Sequence, residues 1–158
     1  NHGTITAMLF ILVGVIYDRA HHREIAKFGG LYSIMPRYAV WVAFAFFAAL
    51  GLPGLSGFIG EVLVFIGAFP TYPVMTIFAL TGVILGAVYL LWTIQRAFMG
   101  PVNEKYKGLT DISLREVLSL APLAIIIIIL GVYPAPMLNL IDSSLVALNQ
   151  HVRAVAGF

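Results

Sequence analysis

Apolar residues along this chain fall in long uninterrupted runs instead of the one-sided stripes of a water-facing helix, so lipid is expected to cover their outer faces. Ile5 to Tyr17 is mostly apolar over 13 residues. That is about 20 Å of helix against a hydrocarbon core of about 30 Å, so a first span over 1–17 is expected to be truncated, with its remainder upstream. A polar stretch from Asp18 to Lys27 leads to Pro36-Arg37 and then to an apolar run over 38–69. As one helix that run would measure roughly 48 Å, too long for an upright straight span, so it must tilt, bend or break. Phe69-Pro70-Thr71-Tyr72-Pro73 reads as a turn, 74–98 as a third span, Gly100 to Asp111 as a polar loop and 117–132 as a fourth span, stopped by Tyr133-Pro134-Ala135-Pro136. Over 134–158, Leu138, Ile141, Leu145, Leu148, Val152 and Val155 recur at spacings of three and four, with Asn139, Asp142, Ser143, Gln150 and Arg153 on other faces. This pattern predicts an amphipathic helix lying on a membrane surface or against a partner subunit. The expected fold is all-α, a polytopic transmembrane helical bundle with one discontinuous helix and an amphipathic carboxy-terminal helix.

The break is expected at Gly51-Leu52-Pro53-Gly54-Leu55-Ser56-Gly57. Pro53 lacks a backbone N–H and crowds the carbonyl of Ala49, while Gly51, Gly54 and Gly57 relax the backbone around it. Ser56 is placed to hydrogen-bond carbonyls that such a break sets free. A mere kink would use the same residues, but non-helical backbone at membrane depth survives only inside protein or beside a water-filled cavity.

Composition agrees with a bilayer protein: 61% of residues are hydrophobic and 10% charged, with a mean hydropathy of +0.98. The chain has no cysteine, which excludes disulfides, thiolate-held iron–sulfur clusters and cysteine zinc sites. A net charge of +2 points to no nucleic-acid partner. The chain starts at Asn1 with no basic stretch before its first apolar run, and is expected to be a fragment. Arg19, Arg23, Lys27 and Arg37 sit in the first polar segment and Arg96, Lys105, Lys107 and Arg115 around the second, two spans apart. By the positive-inside rule, loops 18–37 and 96–116 are expected to face the cytoplasm, with the Phe69–Pro73 turn and the carboxyl terminus outside. Tyr17, Tyr38, Trp41, Tyr72, Trp92 and Tyr133 lie near span ends, as interfacial aromatics do, although ordinary packing would also account for them.

Glu61 is the one acidic residue within these predicted spans. A charge at such depth costs about 2.5–3.5 kcal/mol on insertion scales and is seldom kept without a partner or a role. Gly57, Phe58, Val64 and Phe65, one turn away, offer no counter-charge. A carboxyl so placed can carry a proton, or can stay neutral and hydrogen-bonded as part of the packing. His2, with Thr6 one turn along the same face, is either a relay imidazole or an interfacial residue. His21 and His22 lie in an arginine-rich loop, where solvation outweighs metal binding. Gln95 and Arg96 end the third span, where snorkelling explains them.

Asn1-His2-Gly3, Leu9-Phe10 with Gly14, Tyr17-Asp18-Arg19, Gly29-Gly30-Leu31, Pro36, and Gly51-Leu52-Pro53-Gly54 leading into Gly57-Phe58-Ile59-Gly60-Glu61 resemble the carboxy-terminal third of subunit M. That is an antiporter-like membrane subunit of respiratory NADH:quinone oxidoreductase, complex I. The same motifs mark the wider antiporter family, with subunits L and N, multisubunit cation/proton antiporters and membrane-bound hydrogenases, and a Glu instead of a Lys after Gly57-Phe58-Ile59-Gly60 is what singles out subunit M. The resemblance implies a non-redox, proton-translocating subunit in a bacterial inner membrane. Its proton path would use Glu61 and His2 at the second of two broken helices and form the outward-facing half. NADH, flavin, iron–sulfur clusters and quinone are expected on other subunits, and no cofactor or metal on this chain. The partners implied are neighbouring antiporter-like and other membrane subunits, the lipid bilayer and protons. A cation/proton antiporter subunit, a hydrogenase subunit and a purely structural anchor are the alternatives.

Overall fold

The computed structural model describes residues 1–156, all helix, turn and loop with no strand among them. Residues 157 and 158 of the expected amphipathic segment lie outside the described residues. Among the described residues seven α-helices follow in order: α1 (His2–Ala20), α2 (Leu31–Ile34), α3 (Pro36–Ala49), α4 (Ser56–Ala68), α5 (Pro73–Phe98), α6 (Leu114–Val132) and α7 (Ala135–Ala156). Three of them, α1, α5 and α6, are long and apolar enough to cross a membrane, while α3 and α4 are shorter apolar helices. The run expected over 38–69 is thus divided into helices of 14 and 13 residues.

Helix α1 occupies the centre, packed between α3 and α6, with α4 laid against α6. Met8, Ala45, Ala48, Leu120 and Ile127 are fully buried along these seams. Alanines three apart on α3 let its backbone approach α1 closely, the usual means of packing helices where lipid removes the hydrophobic drive to associate. Tyr38 threads the same interface, its hydroxyl donating to the carbonyl of Leu12 at 3.0 Å. Helix α5 is mostly exposed. Helix α7 is exposed from Pro136 to Val155, so no neighbour covers its apolar face among the described residues.

Polar chemistry gathers where the loops meet. The Arg19 guanidinium grips the Glu116 carboxylate through two bonds of 2.8 Å and also donates to the carbonyls of Val15, Thr110 and Asp111. The Asp111 carboxylate accepts from the backbone N–H groups of Arg37 and Tyr38 at 2.9 and 3.0 Å. It thereby satisfies donors that the first turn of α3 leaves open. Ser113 and Glu116 form a reciprocal capping box at the start of α6. These contacts tie α1, α3 and α6 together at one end of the bundle. They also correct two sequence expectations: α1 runs three residues past Tyr17, and α6 begins at Leu114, not 117, with Glu116 inside its first turn. Asp18 and Glu116 therefore stand on the end turns of long apolar helices, while Glu61 stands on the shorter α4. In the loops, the ring of His22 stacks on Phe28 and its Nε2 lies 2.6 Å from the Tyr106 hydroxyl.

Candidate functional site: the interrupted helix and its carboxyl

Helix α3 ends through hydrogen bonds of a specific kind. The N–H of Leu52 donates to the carbonyl of Phe47 at 3.0 Å and that of Gly51 to Ala48 at 3.3 Å, with Gly51 left-handed at φ 70°. A six-to-one bond enclosing a five-to-two bond around a left-handed glycine is the Schellman closure. A β-turn follows: Leu55 N–H donates to Leu52 C=O at 3.0 Å, with Pro53 second and Gly54, at φ 93°, third. That is the proline–glycine arrangement of a type II turn. The break accordingly differs in cause from the sequence expectation. Gly51 stops α3 before Pro53 is reached, so the proline ring has no helix to clash with. What Pro53 contributes is the fixed φ of the second turn position. Residue 53 would be the helical partner of the Ala49 carbonyl, and among the described residues no donor occupies the carbonyls of Ala49 or Leu50.

Helix α4 restarts at Ser56 against two close backbone contacts. An atom added at the Cβ position of Gly57 would overlap the carbonyl oxygen of Ala48, and one added at Gly131 would overlap Gly54 and Leu55. Glycine at both positions lets α4 sit directly against the end of α3 and lets α6 approach the turn before α4. Asn1, the residue before α1, reaches in, its Nδ2 donating to the carbonyl of Ser56 at 2.9 Å. The Ser56 hydroxyl is fully buried with no hydrogen-bond partner among the described residues; it does not cap a freed carbonyl as expected.

Glu61, one turn beyond Gly57 on α4, is half-buried. Its carboxyl group rests against Gly51 and faces a pocket of about 270 Å³ walled by Ala49 and Leu50 of α3 and by α5 from Ala79 to Tyr89. Those α5 residues are the middle of a 26-residue helix, so the carboxyl is level with the centre of the longest span. Among the described residues no salt bridge reaches it. A larger groove of about 940 Å³ between α3 and α5 nearer the loops is lined without a charged residue.

His2 stands elsewhere. It is exposed on α1, with Thr6 Oγ1 3.3 Å from Nε2, and no hydrogen bond joins it to Glu61; its neighbour Asn1 is the residue that hydrogen-bonds the start of α4. Among the described residues no group of three His, Asp or Glu could hold a metal ion. Sequence reasoning missed Asn1, the Arg19–Glu116 clamp and Asp111. The Ser113-x-x-Glu116 capping pattern was legible, whereas the pairing of Arg19 with Glu116, 97 positions apart, left no local signal.

Comparison with known proteins joins this geometry to a family. The family model described as NADH:quinone oxidoreductase/Mrp antiporter, transmembrane, matches residues 1–86, which include Asn1, the whole interruption, Glu61 and part of the α5 wall. NADH-quinone oxidoreductase subunit M of Rhodobacter capsulatus is 45% identical over 158 residues, covering 99% of this chain and 31% of that protein. NADH-ubiquinone oxidoreductase chain 4 of Chondrus crispus is 43% identical over 94% of this chain and 30% of its own length. The chain thus spans about 30% of the length of the curated relatives it matches. Among solved structures, respiratory complex I from Thermus thermophilus with bound NADH contains a chain that superposes with a TM-score of 0.77 at 32% identity, over 85% of this chain and 28% of that one. An interrupted apolar helix with a carboxyl at its break, within a matching stretch that takes in more than half of the residues, is sufficient: this chain belongs to the NADH:quinone oxidoreductase/Mrp antiporter transmembrane family.

Proposed function

We propose that this chain is part of a subunit M-like membrane subunit of an NADH:quinone oxidoreductase, and that Glu61 carries protons through it by changing protonation during turnover. The observation that bears the most weight is the placement of Glu61. It is a carboxyl at mid-span, beside an interrupted helix, with no cationic partner and a pocket large enough for several water molecules. A carboxyl group can accept a proton from a water chain on one side and release it on the other without any change in fold, which is what a carrier requires. The open carbonyls of Ala49 and Leu50 give the protonated form a place to donate. His2 is proposed as a separate relay group, reached through water because no direct contact joins it to Glu61. NADH oxidation and quinone reduction would belong to other subunits, with proton transfer the part played here. Neighbouring antiporter-like subunits and lipid would cover the exposed faces of α5 and α7. The basic loops 18–37 and 96–116 would face the cytoplasm of a bacterial inner membrane, with the carboxyl terminus outside.

The test is Glu61→Gln in the fully assembled complex in sealed vesicles. Gln keeps size and polarity but cannot titrate, so proton pumping should fall sharply and coupled electron transfer should slow with it, while Glu61→Asp retains more of both. A normal proton-to-electron ratio with Glu61→Gln would overturn the carrier role. A cation/proton antiporter is the second reading, favoured by the breadth of the family description; sodium-dependent transport without NADH oxidation would select it.

A further inference from the structure

Gly51 has two properties that its neighbours share only singly. It is left-handed, like Gly54, and a Cβ built on it would overlap another group, as at Gly57. At Gly57 and Gly131 the obstructing atoms are backbone, so a larger residue there would push helices apart. At Gly51 they are the Oε2, Cδ and Oε1 atoms of Glu61, the far end of a side chain with three rotatable bonds. A methyl group at Gly51 would therefore displace the carboxyl before it disturbed the fold. Gly54, at φ 93° with open space around its Cβ position, would suffer at least as much backbone strain on substitution and touch nothing.

We infer that Gly51 is a positioning residue for Glu61: its bare Cα face is the seat that holds the carboxyl at the end of α3, facing the α5 pocket. The left-handed turn and the missing side chain act together. The turn ends α3 and leaves the carbonyls of Ala49 and Leu50 without helical partners, and the absent Cβ lets the carboxyl lie beside them. Glu61 is ten residues away in sequence but in contact in space, because the chain reverses at Gly51, turns at Pro53-Gly54 and restarts at Ser56. The inference rests on the reading of Glu61 as a proton carrier and adds a residue on which the position of the carried proton depends.

The experiment compares Gly51→Ala, Gly54→Ala, Glu61→Asp, Glu61→Gln and the double variant Gly51→Ala/Glu61→Asp in the assembled complex. Proton pumping and coupled electron transfer are read in sealed vesicles. Gly51→Ala should lower pumping about tenfold or more, since misplacing a reacting group by about 1 Å can cost up to ~100-fold. Gly54→Ala should lose several-fold less. The double variant, whose carboxyl is retracted by one methylene, should pump better than Gly51→Ala alone even though Glu61→Asp by itself is a loss. Equal losses for Gly51→Ala and Gly54→Ala, with no recovery in the double variant, would mean that backbone strain is the whole effect and would overturn the inference. So would full pumping by Gly51→Ala where Glu61→Gln is inactive, an outcome that leaves the carrier reading standing. Normal pumping by Glu61→Gln removes that reading instead. If Gly51→Ala does not assemble, assembly becomes the readout: recovery on shortening residue 61 to Asp supports the collision, and no recovery overturns it.

Discussion

Replacing Arg19 by alanine removes one guanidinium from five hydrogen bonds at the loop end of the bundle, two to Glu116 and one each to the carbonyls of Val15, Thr110 and Asp111. Side-chain exposures of 14% for Arg19 and 24% for Glu116 put the pair between two limits. A surface ion pair contributes about 0–1 kcal/mol, and breaking a fully buried one costs about 3–5 kcal/mol. Glu116 is not stranded when the arginine goes, because the Ser113 N–H and hydroxyl still donate to its carboxylate at 2.7 Å. Much of the loss falls instead on the loop carbonyls, which would have to find water at the end of α1. These terms together put Arg19→Ala at about 2 kcal/mol of stability, with an Arg19–Glu116 coupling of about 1–2 kcal/mol. Arg19→Lys should recover only part of it, since an ammonium cannot span two carboxylate oxygens and three carbonyls at once. The measurement is a double-mutant cycle of Arg19→Ala and Glu116→Ala in the full-length subunit, unfolded by SDS in mixed micelles and followed through tryptophan fluorescence. Single losses that add to within about 0.5 kcal/mol would show the two residues to be uncoupled and would refute the clamp.

Gly131→Ala sets a methyl group against the backbone of Gly54 and Leu55; overpacking of this kind costs about 1–3 kcal/mol, so the subunit should lose thermal stability in detergent, and an unchanged melting temperature would contradict the close approach of α6 to the break. Pro53→Ala should leave α3 and α4 separate, because Gly51 has already closed α3; the cost is about 0.4–1 kcal/mol from a more flexible turn, and a structure of the variant with continuous i to i−4 bonding through residues 49 to 57 would disprove it. Since the chain has no cysteine, single cysteines at Arg23, Lys105 and Thr71 can be labelled without background from it: the first two should react only from the cytoplasm and the third only from outside, and labelling of Thr71 and Lys105 from one side would reverse the proposed topology.

Periodicity and hydropathy located the apolar helices to within a few residues, because a lipid-covered span is a composition before it is a contact. The interruption was legible for the same reason: three glycines and a proline within seven residues are a cost that no continuous helix would carry. Its cause was not. Composition does not show which glycine turns left-handed, and the steric effect of proline is the first that comes to hand. Yet the order of residues held the answer, since a glycine followed two positions later by proline is the common ending of a Schellman-closed helix. What a one-dimensional reading cannot supply is the neighbour brought in by the reversal itself. Helical spacing gave Glu61 the companions Gly57, Phe58, Val64 and Phe65, all on its own helix, whereas the residue against its carboxyl is Gly51 on the far side of the turn. The counting rule fails there because it assumes an unbroken helix, and the break is where the assumption ends. The residues of the interruption then divide the work among them. Gly51 stops α3 and seats the carboxyl, Pro53 fixes the second position of the turn that follows, Gly54 completes that turn, and Gly57 admits the carbonyl of Ala48 against α4. A chain built only to bend could do so with the proline alone. Placing an acid beside open carbonyls at the centre of a span requires the set.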